Sequence, residues 1–213
     1  MFISSAKLKG VAMTVIGITG PSGAGKGALC AILQTKYGFN VIDADSIYHS
    51  LVSAPSPCLD EIRLNFGDGV ICQNGSLNRE ALSRLVFGDG NADRLRLLNK
   101  ITHKYVVEKI LLEIENSRSQ GVNCLVDAPL LIEAELTQYC DFSISVLADD
   151  KTRIERIVAR DNISYEKAAM RISSQKAQEF YTANTDYTVI NDSDISLLES
   201  SALKILSERR VTI

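Results

Sequence analysis

Thr14–Lys26 reads TVIGITGPSGAGK, and the change of composition inside this stretch decides the fold. Thr14–Thr19 is a short apolar run rich in β-branched residues, the pattern of a strand buried on both faces. Gly20–Lys26 then fits G-x-x-x-x-G-K. Glycines there let the backbone turn tightly and bring its N–H groups close to an anion. A helical pattern follows over Lys26–Tyr37, with Leu29, Ile32 and Leu33 on one face and Gly38 as the closing residue. A glycine-rich turn alone could be only a tight connection. Strand, turn, lysine and helix in this order make it a phosphate-binding loop. Gly23, Ala24, Gly25, Lys26, Gly27 and Ala28 are its candidate nucleotide contacts. The helix start adds a positive dipole end, and Lys26 brings a mobile charge to the β- and γ-phosphates.

The pattern breaks directly after the lysine. A Ser or Thr hydroxyl normally holds Mg²⁺ there, whereas this chain has Gly27 and Ala28. The expectation is that Mg²⁺ is held through water and acidic residues elsewhere, Asp43 or Asp127 being candidates; weakened metal-dependent catalysis is the alternative.

Working outward, further strand patterns occur at Asn40–Ile42, Asn123–Val126, Phe142–Leu147 and Tyr187–Ile190. Asp194–Arg209 carries Ile195, Leu198, Ala202, Ile205 and Leu206 at helical spacing. Strands that alternate with helices need crossover connections, so the sheet should be parallel and the body an α/β sandwich. Residues 46–120 are mostly helical and too long for a simple crossover. They read as a helical acceptor-binding insertion within one domain over residues 14–213, and Pro55–Pro57 as a turn between its helices. Residues 1–13 read as a disordered prefix.

Composition narrows the function. A net charge of −3 gives no support to a nucleic-acid binder. No apolar run approaches the ~18–20 residues of a membrane span. The five cysteines are scattered and form no C-x-x-C pair with which the two histidines could complete a zinc set. Buried reduced thiols in a cytoplasmic protein are expected.

Val41–Asp45 reads VIDAD. Strand exits in a parallel sheet share one edge, so Asp43 and Asp45 should face the phosphate loop. A carboxylate there can take an acceptor hydroxyl's proton and orient its oxygen toward the γ-phosphate. The plainer reading has Asp45 capping a helix over Ser46–Leu51. After another strand, Arg153, Arg156 and Arg160 recur at helical spacing, followed by Arg171. Arginines in such a lid, about residues 150–182, can bind the charge that phosphoryl transfer spreads over its oxygens; solvated surface charge is the alternative.

Several of these segments resemble the dephospho-CoA kinase family. VIDADSIYHSLV resembles the signature that follows its phosphate loop. In the same order come GSLNREALSRLVF (Gly75–Phe87), LNKITH (Leu98–His103, with Lys104 where Pro is usual) and VDAPLLIE (Val126–Glu133). RIVARD (Arg156–Asp161), RISSQ (Arg171–Gln175) and DYTVIN (Asp186–Asn191) follow. The resemblance covers about residues 14–192. It implies a P-loop kinase three-layer sandwich that uses ATP and Mg²⁺ to phosphorylate the ribose 3′-hydroxyl of dephospho-CoA. It implies Asp45 as base, Lys26 on the β/γ-phosphates, Arg156 on the transferring group, and Asn191 at the nucleotide. Asp43, Arg79, His103, Pro129, Leu130 and Leu131 would serve the acceptor. Lys176 and Glu179–Tyr181 depart from the family's lid sequence. Two competing readings stand beside it. GPSGAGKG also resembles the loop of nucleoside monophosphate kinases, and a degenerate nucleotide-binding protein would tolerate the missing hydroxyls.

Overall fold

The structure, a computed structural model, describes residues 13–53, 55–88 and 90–213; apart from Met13, the expected prefix lies outside them. The strands are β1 (Val15–Thr19), β2 (Asn40–Asp43), β3 (Cys124–Asp127), β4 (Phe142–Leu147) and β5 (Tyr187–Ile190). The helices are α1 (Lys26–Tyr37), α2 (Ala44–Ser53), α3 (Pro57–Phe66), α4 (Arg79–Val86), α5 (Ala92–Gln120), α6 (Asp150–Asp161), α7 (Tyr165–Ser173), α8 (Gln178–Asn184) and α9 (Ile195–Glu208). The fold is α/β. The backbone divides into two compact units, one reaching Ile42 and resuming over Ile114–Ile213, the other Asp43–Glu113.

The first unit is organised by a sheet in the order β2-β3-β1-β4-β5. β1 pairs in parallel with β3 on one side (Val15 with Cys124) and β4 on the other (Ile16 with Phe142), and β4 pairs in parallel with β5. The chain leaves central β1 toward one edge and later fills the other. The crevice beside the carboxyl end of β1, where ligands of such sheets bind, therefore receives the glycine-rich loop.

β1 is buried at all five positions, which is why its sequence is a continuous apolar run rather than an alternation. Leu29, Cys30, Ile32 and Leu33 of α1 and Leu198, Ala202, Ile205 and Leu206 of α9 share one core with β1, β4 and Val189. Burying a leucine such as Leu29 or Leu33 contributes about 1.5–3 kcal/mol. Gly38 ends α1 with φ 72°, its N–H bonded to the Gln34 carbonyl. Glu199 on α9 accepts from Lys36 Nζ (2.5 Å) and Tyr37 Oη (2.7 Å), tying α9 to the last turn of α1. α6 and α7 form a small hairpin held by Ile154, Ile157, Ala168 and Ile172. Asp149 caps α6 by accepting from Thr152 N (2.8 Å), and Asn162 ends it with φ 51°.

Asp43–Glu113 has its own core, with Val52, Cys58, Leu59, Ile62, Val70, Leu77, Leu82, Val86, Leu98 and Ile101. Local signals start its helices. Ser56 caps α3 through Leu59 N (3.1 Å) with Pro57 in the first turn, where no N–H is missed. Asn78 caps α4 through Ala81 N (3.1 Å).

Candidate active site

Gly23 and Gly25 adopt φ values of 81° and 100°, a region closed to most side chains. Space forbids side chains too. A Cβ at Gly23 would lie 2.6 Å from the Arg153 carbonyl oxygen, and one at Gly25 2.1 Å from Asn191 Nδ2. The loop is thus pressed against the start of α6 and the end of β5.

Side chains hold its carbonyls. Arg153 Nε donates to Ser22 O (3.0 Å), and Asn191 Nδ2 donates to Ala24 O (2.8 Å). Arg156 Nη1 makes longer contacts with Gly23 O and Ala24 O, both 3.4 Å. In a trans peptide the N–H points opposite to its own C=O. Drawing Ser22 O and Ala24 O to one side therefore turns the N–H groups of Gly23 and Gly25 to the other, making a concavity of donors suited to phosphate. Lys26 opens α1 there, and no hydrogen bond or ion pair engages its ammonium among the described residues. Gly27 is exposed, with nothing within 4 Å of an added Cβ, whereas Ala28 packs against the core.

Asn191 was expected at the nucleotide; it is 6% exposed and its amide is spent on the loop's own backbone. Arg153 is only 3% exposed, unlike the solvated charge that a lid arginine suggests. It sits on the inner face of α6 with Ile154 and Ile157, and that periodicity was the available signal. Arg160 and Arg171 both pair with Asp161 (Arg160 Nε at 2.7 Å), and these guanidinium groups hold its carboxyl well below the usual range. Among the lid's departures, Lys176 Nζ lies over the Phe180 ring at 5.3 Å.

Three acceptor candidates belong to the segment after β3. Pro129 O accepts from Thr19 Oγ1 at 3.3 Å, and Leu130 is exposed. Leu131 is fully buried, near enough to β1 that a Cβ on Gly17 would lie 2.8 Å from its Cδ2. Its side chain supports the sheet. Asp127 ends β3 opposite Ile18 of β1.

The remaining candidates lie in Asp43–Glu113. The capping expectation needs correction: α2 starts at Ala44, and Asp43 is the cap. Asp43 Oδ1 accepts from Asp45 N (2.9 Å) and Ser46 N (3.1 Å), and its Oδ2 from Ser46 Oγ (2.8 Å). Asp45 is in the first turn, exposed, its carboxylate without a hydrogen bond or ion pair among the described residues. Arg79 opens α4, and its Nη2 lies 2.6 Å from His49 Nδ1. Guanidinium has no acceptor, so that nitrogen of His49 must accept. His103 is half-buried on α5, and burial lowers its pKa. Beside it, Lys104 pairs with Glu61 (2.8 Å), to which Tyr105 also donates (2.6 Å).

No group of three or more His, Cys, Asp or Glu gathers among the described residues. None of the five cysteines forms a disulfide. Burial pushes the thiols of Cys58 and Cys124 up to about 11 and that of Cys140 up to about 12. No helix among the described residues is long and apolar enough to cross a membrane.

Comparison with known proteins adds a family. The family model for dephospho-CoA kinase matches residues 14–196. A dephospho-CoA kinase of Carboxydothermus hydrogenoformans is 32% identical over 197 residues, covering 92% of this chain and 94% of that protein. Among solved structures, TT1252 from Thermus thermophilus superposes with a TM-score of 0.75 at 29% identity, covering 95% of this chain and all of that one. Dephospho-CoA kinase from Campylobacter jejuni, at 22% identity and TM-score 0.66 over 92% of this chain and 97% of its own, bears on the fold alone.

Proposed function

The chain belongs to the dephospho-CoA kinase family, and from that premise we propose that it transfers the γ-phosphate of ATP to the ribose 3′-hydroxyl of dephospho-CoA, giving CoA and ADP. The observation that carries the proposal is the loop: a donor-lined turn with a free lysine at a helix start, in a chain matched to this family over residues 14–196.

In this reading the Gly23–Ala28 segment binds the β- and γ-phosphates through its N–H groups other than those of Ala24 and Ala28, which bond Pro21 O and Gly25 O, and Lys26 adds charge to the same oxygens. Asp45 takes the proton of the 3′-hydroxyl as its oxygen bonds to the γ-phosphorus and the bond to the β-phosphate oxygen breaks. Its exposed carboxylate, free of capping duty, suits that task. Arg156 can leave its long contacts with the loop carbonyls to meet the transferring group. Arg79, His103, Pro129 and Leu130 serve the acceptor.

Mg²⁺ supplies charge neutralisation to the phosphate oxygens when bound. The donor set fits a cation that keeps most of its waters, because such an ion needs only one or two carboxylates beside the phosphates. Asp43 spends both oxygens on the α2 cap, so we assign the water-mediated hold to Asp127. The undisulfided cysteines fit a reducing compartment, and we place the reaction in the cytoplasm.

A coupled ADP-release assay with dephospho-CoA, CMP and AMP tests the proposal. Turnover is expected with dephospho-CoA alone, and ³¹P spectra should show a new ribose 3′-monoester. Turnover of CMP or AMP without dephospho-CoA would assign the chain to nucleoside monophosphates instead. Gly27 and Ala28 favour one second reading, a nucleotide-binding protein without transferase activity. ATP binding with no turnover of any acceptor would establish it.

A further inference from the structure

We propose that Gln175, acting with Arg153, is a positioning residue for ATP: it sets the phosphate loop from the lid side. The inference rests on reading Gly20–Lys26 as the ATP-phosphate site.

The geometry is a closed ring around one residue of the loop. Gln175 Oε1 accepts from Ser22 N (3.1 Å) and from Arg153 Nη2 (2.8 Å). Arg153 Nε in turn donates to Ser22 O (3.0 Å), and its Nη1 donates to Asp150 (2.8 Å). Ser22 is therefore gripped at both its N–H and its C=O. The grip on the carbonyl fixes the peptide plane between Ser22 and Gly23, and with it the direction of the Gly23 N–H. Three acceptors converge on the guanidinium of Arg153, a residue only 3% exposed, where each unmade bond carries a full desolvation cost. Electrostatic sites act best when their dipoles are already oriented, and this ring orients one of them.

Gln175 is not part of the loop. It follows α7 and stands three residues before the start of α8, whose first residue Gln178 donates to Ala148 O (2.9 Å). The lid's connecting segment is thus bonded to the loop at Gln175 and to the end of β4 at Gln178. Displacing that segment necessarily withdraws the acceptor from Ser22 N. Phosphate affinity and lid position are coupled through one carbonyl oxygen.

The chemistry supplies a discriminating test. Gln175 uses only its oxygen in the ring, as an acceptor twice. Glu offers an equivalent oxygen, whereas Met fills similar volume with only a weak acceptor. Removing buried Arg153 would strip partners from several groups at once, so the substitutions go on half-buried Gln175. ATP Kd by calorimetry, KM and kcat for both substrates, and the melting temperature without nucleotide are measured for the parent, Gln175→Met and Gln175→Glu. Losing two hydrogen bonds should weaken ATP binding about tenfold in the Met variant. Its KM for ATP should rise, while its KM for the acceptor stays unchanged. The Glu variant should stay within about threefold of the parent. A Met variant that binds ATP like the parent overturns the inference, as does a Glu variant as weak as Met. A loss of melting temperature with ATP affinity intact would make the ring a purely structural tie and also overturn it. Failure of the parent to bind ATP sinks the reading of the loop itself, a separate outcome.

Discussion

Around the phosphate loop, the described polar side chains mostly end on backbone: Arg153 on Ser22, Asn191 on Ala24, Gln175 on the Ser22 N–H, Thr19 on Pro129. In Asp43–Glu113 the candidate functional groups stand on helix starts and on exposed or half-buried faces. Asp45 is unpaired among the described residues, Arg79 meets the ring of His49, and Lys104 and Tyr105 share Glu61. The difference teaches where each half's precision comes from. Backbone-directed bonds fix peptide dipoles before any ligand arrives. Exposed side chains on helices keep their rotamer freedom, and ordering them costs entropy when a ligand binds. Substitutions near the loop should therefore disturb a built site, and those in Asp43–Glu113 should remove single functional groups.

The largest expected effect is at Lys26. Lys26→Ala removes the charge that we propose for the β/γ-phosphates and should lower turnover about 10³-fold, with weaker ATP binding. Unchanged ATP affinity and turnover would show that this loop is not the nucleotide site.

Next comes a paired test in the other unit. Asp45→Asn cannot take the hydroxyl proton and should lower kcat about 10²-fold, with ATP binding and melting temperature unchanged. Asp43→Ala removes the α2 cap and should cost about 1 kcal/mol of stability, read by denaturant titration. If Asp45→Asn lowers the melting temperature and spares turnover, the two aspartates have been assigned in the wrong order.

Gly27→Ser is a smaller effect in the opposite direction. The position is open, so the added hydroxyl can approach a cation without disturbing the core, whereas Ala28→Thr would push against packed residues. The Mg²⁺ concentration for half-maximal rate should fall by roughly a few-fold, since one oxygen replaces one water. An identical Mg²⁺ titration would show that the metal is held without this position, and Asp127→Asn becomes the next variant to titrate.

The smallest effect is on acid stability. The hydrogen bonds of Lys36 and Tyr37 hold the Glu199 carboxyl below its usual range, and those of Lys104 and Tyr105 do the same for Glu61. A lowered folded pKa means that stabilisation is complete above the unfolded value and disappears as pH falls through the folded one. Parent and Glu199→Gln melting temperatures should therefore differ slightly at neutral pH and converge below about pH 4. A gap that persists in acid would show that the glutamate acts through packing.

What could be read from sequence alone follows the same division. The bounds of α1, β4 and β5 were legible, because apolar periodicity, a glycine stop and edge-to-edge strand lengths are local signals. The acid pair after β2 was legible as chemistry but not as geometry. A strand running straight into a helix leaves no loop to mark the cap, so the pattern points to Asp45, two residues after the cap at Asp43. Arg153 and Asn191 were legible only as lid charge and motif end. Their partners lie 131 and 167 residues away in the chain, and no local pattern reports which carbonyl a distant side chain will find.

The position of α9 has a consequence for synthesis. β1 and its loop emerge from the ribosome before α9, yet β1 sits mid-sheet and shares its core with Leu198, Ala202, Ile205 and Leu206. A nascent chain halted before residue 195 leaves the apolar faces of α1 and β1 without the α9 side of their core. Native contacts of such long range close slowly, and exposed apolar surface is what chaperones capture. β1 and α1 are thus translated well before the residues of α9 that complete their core.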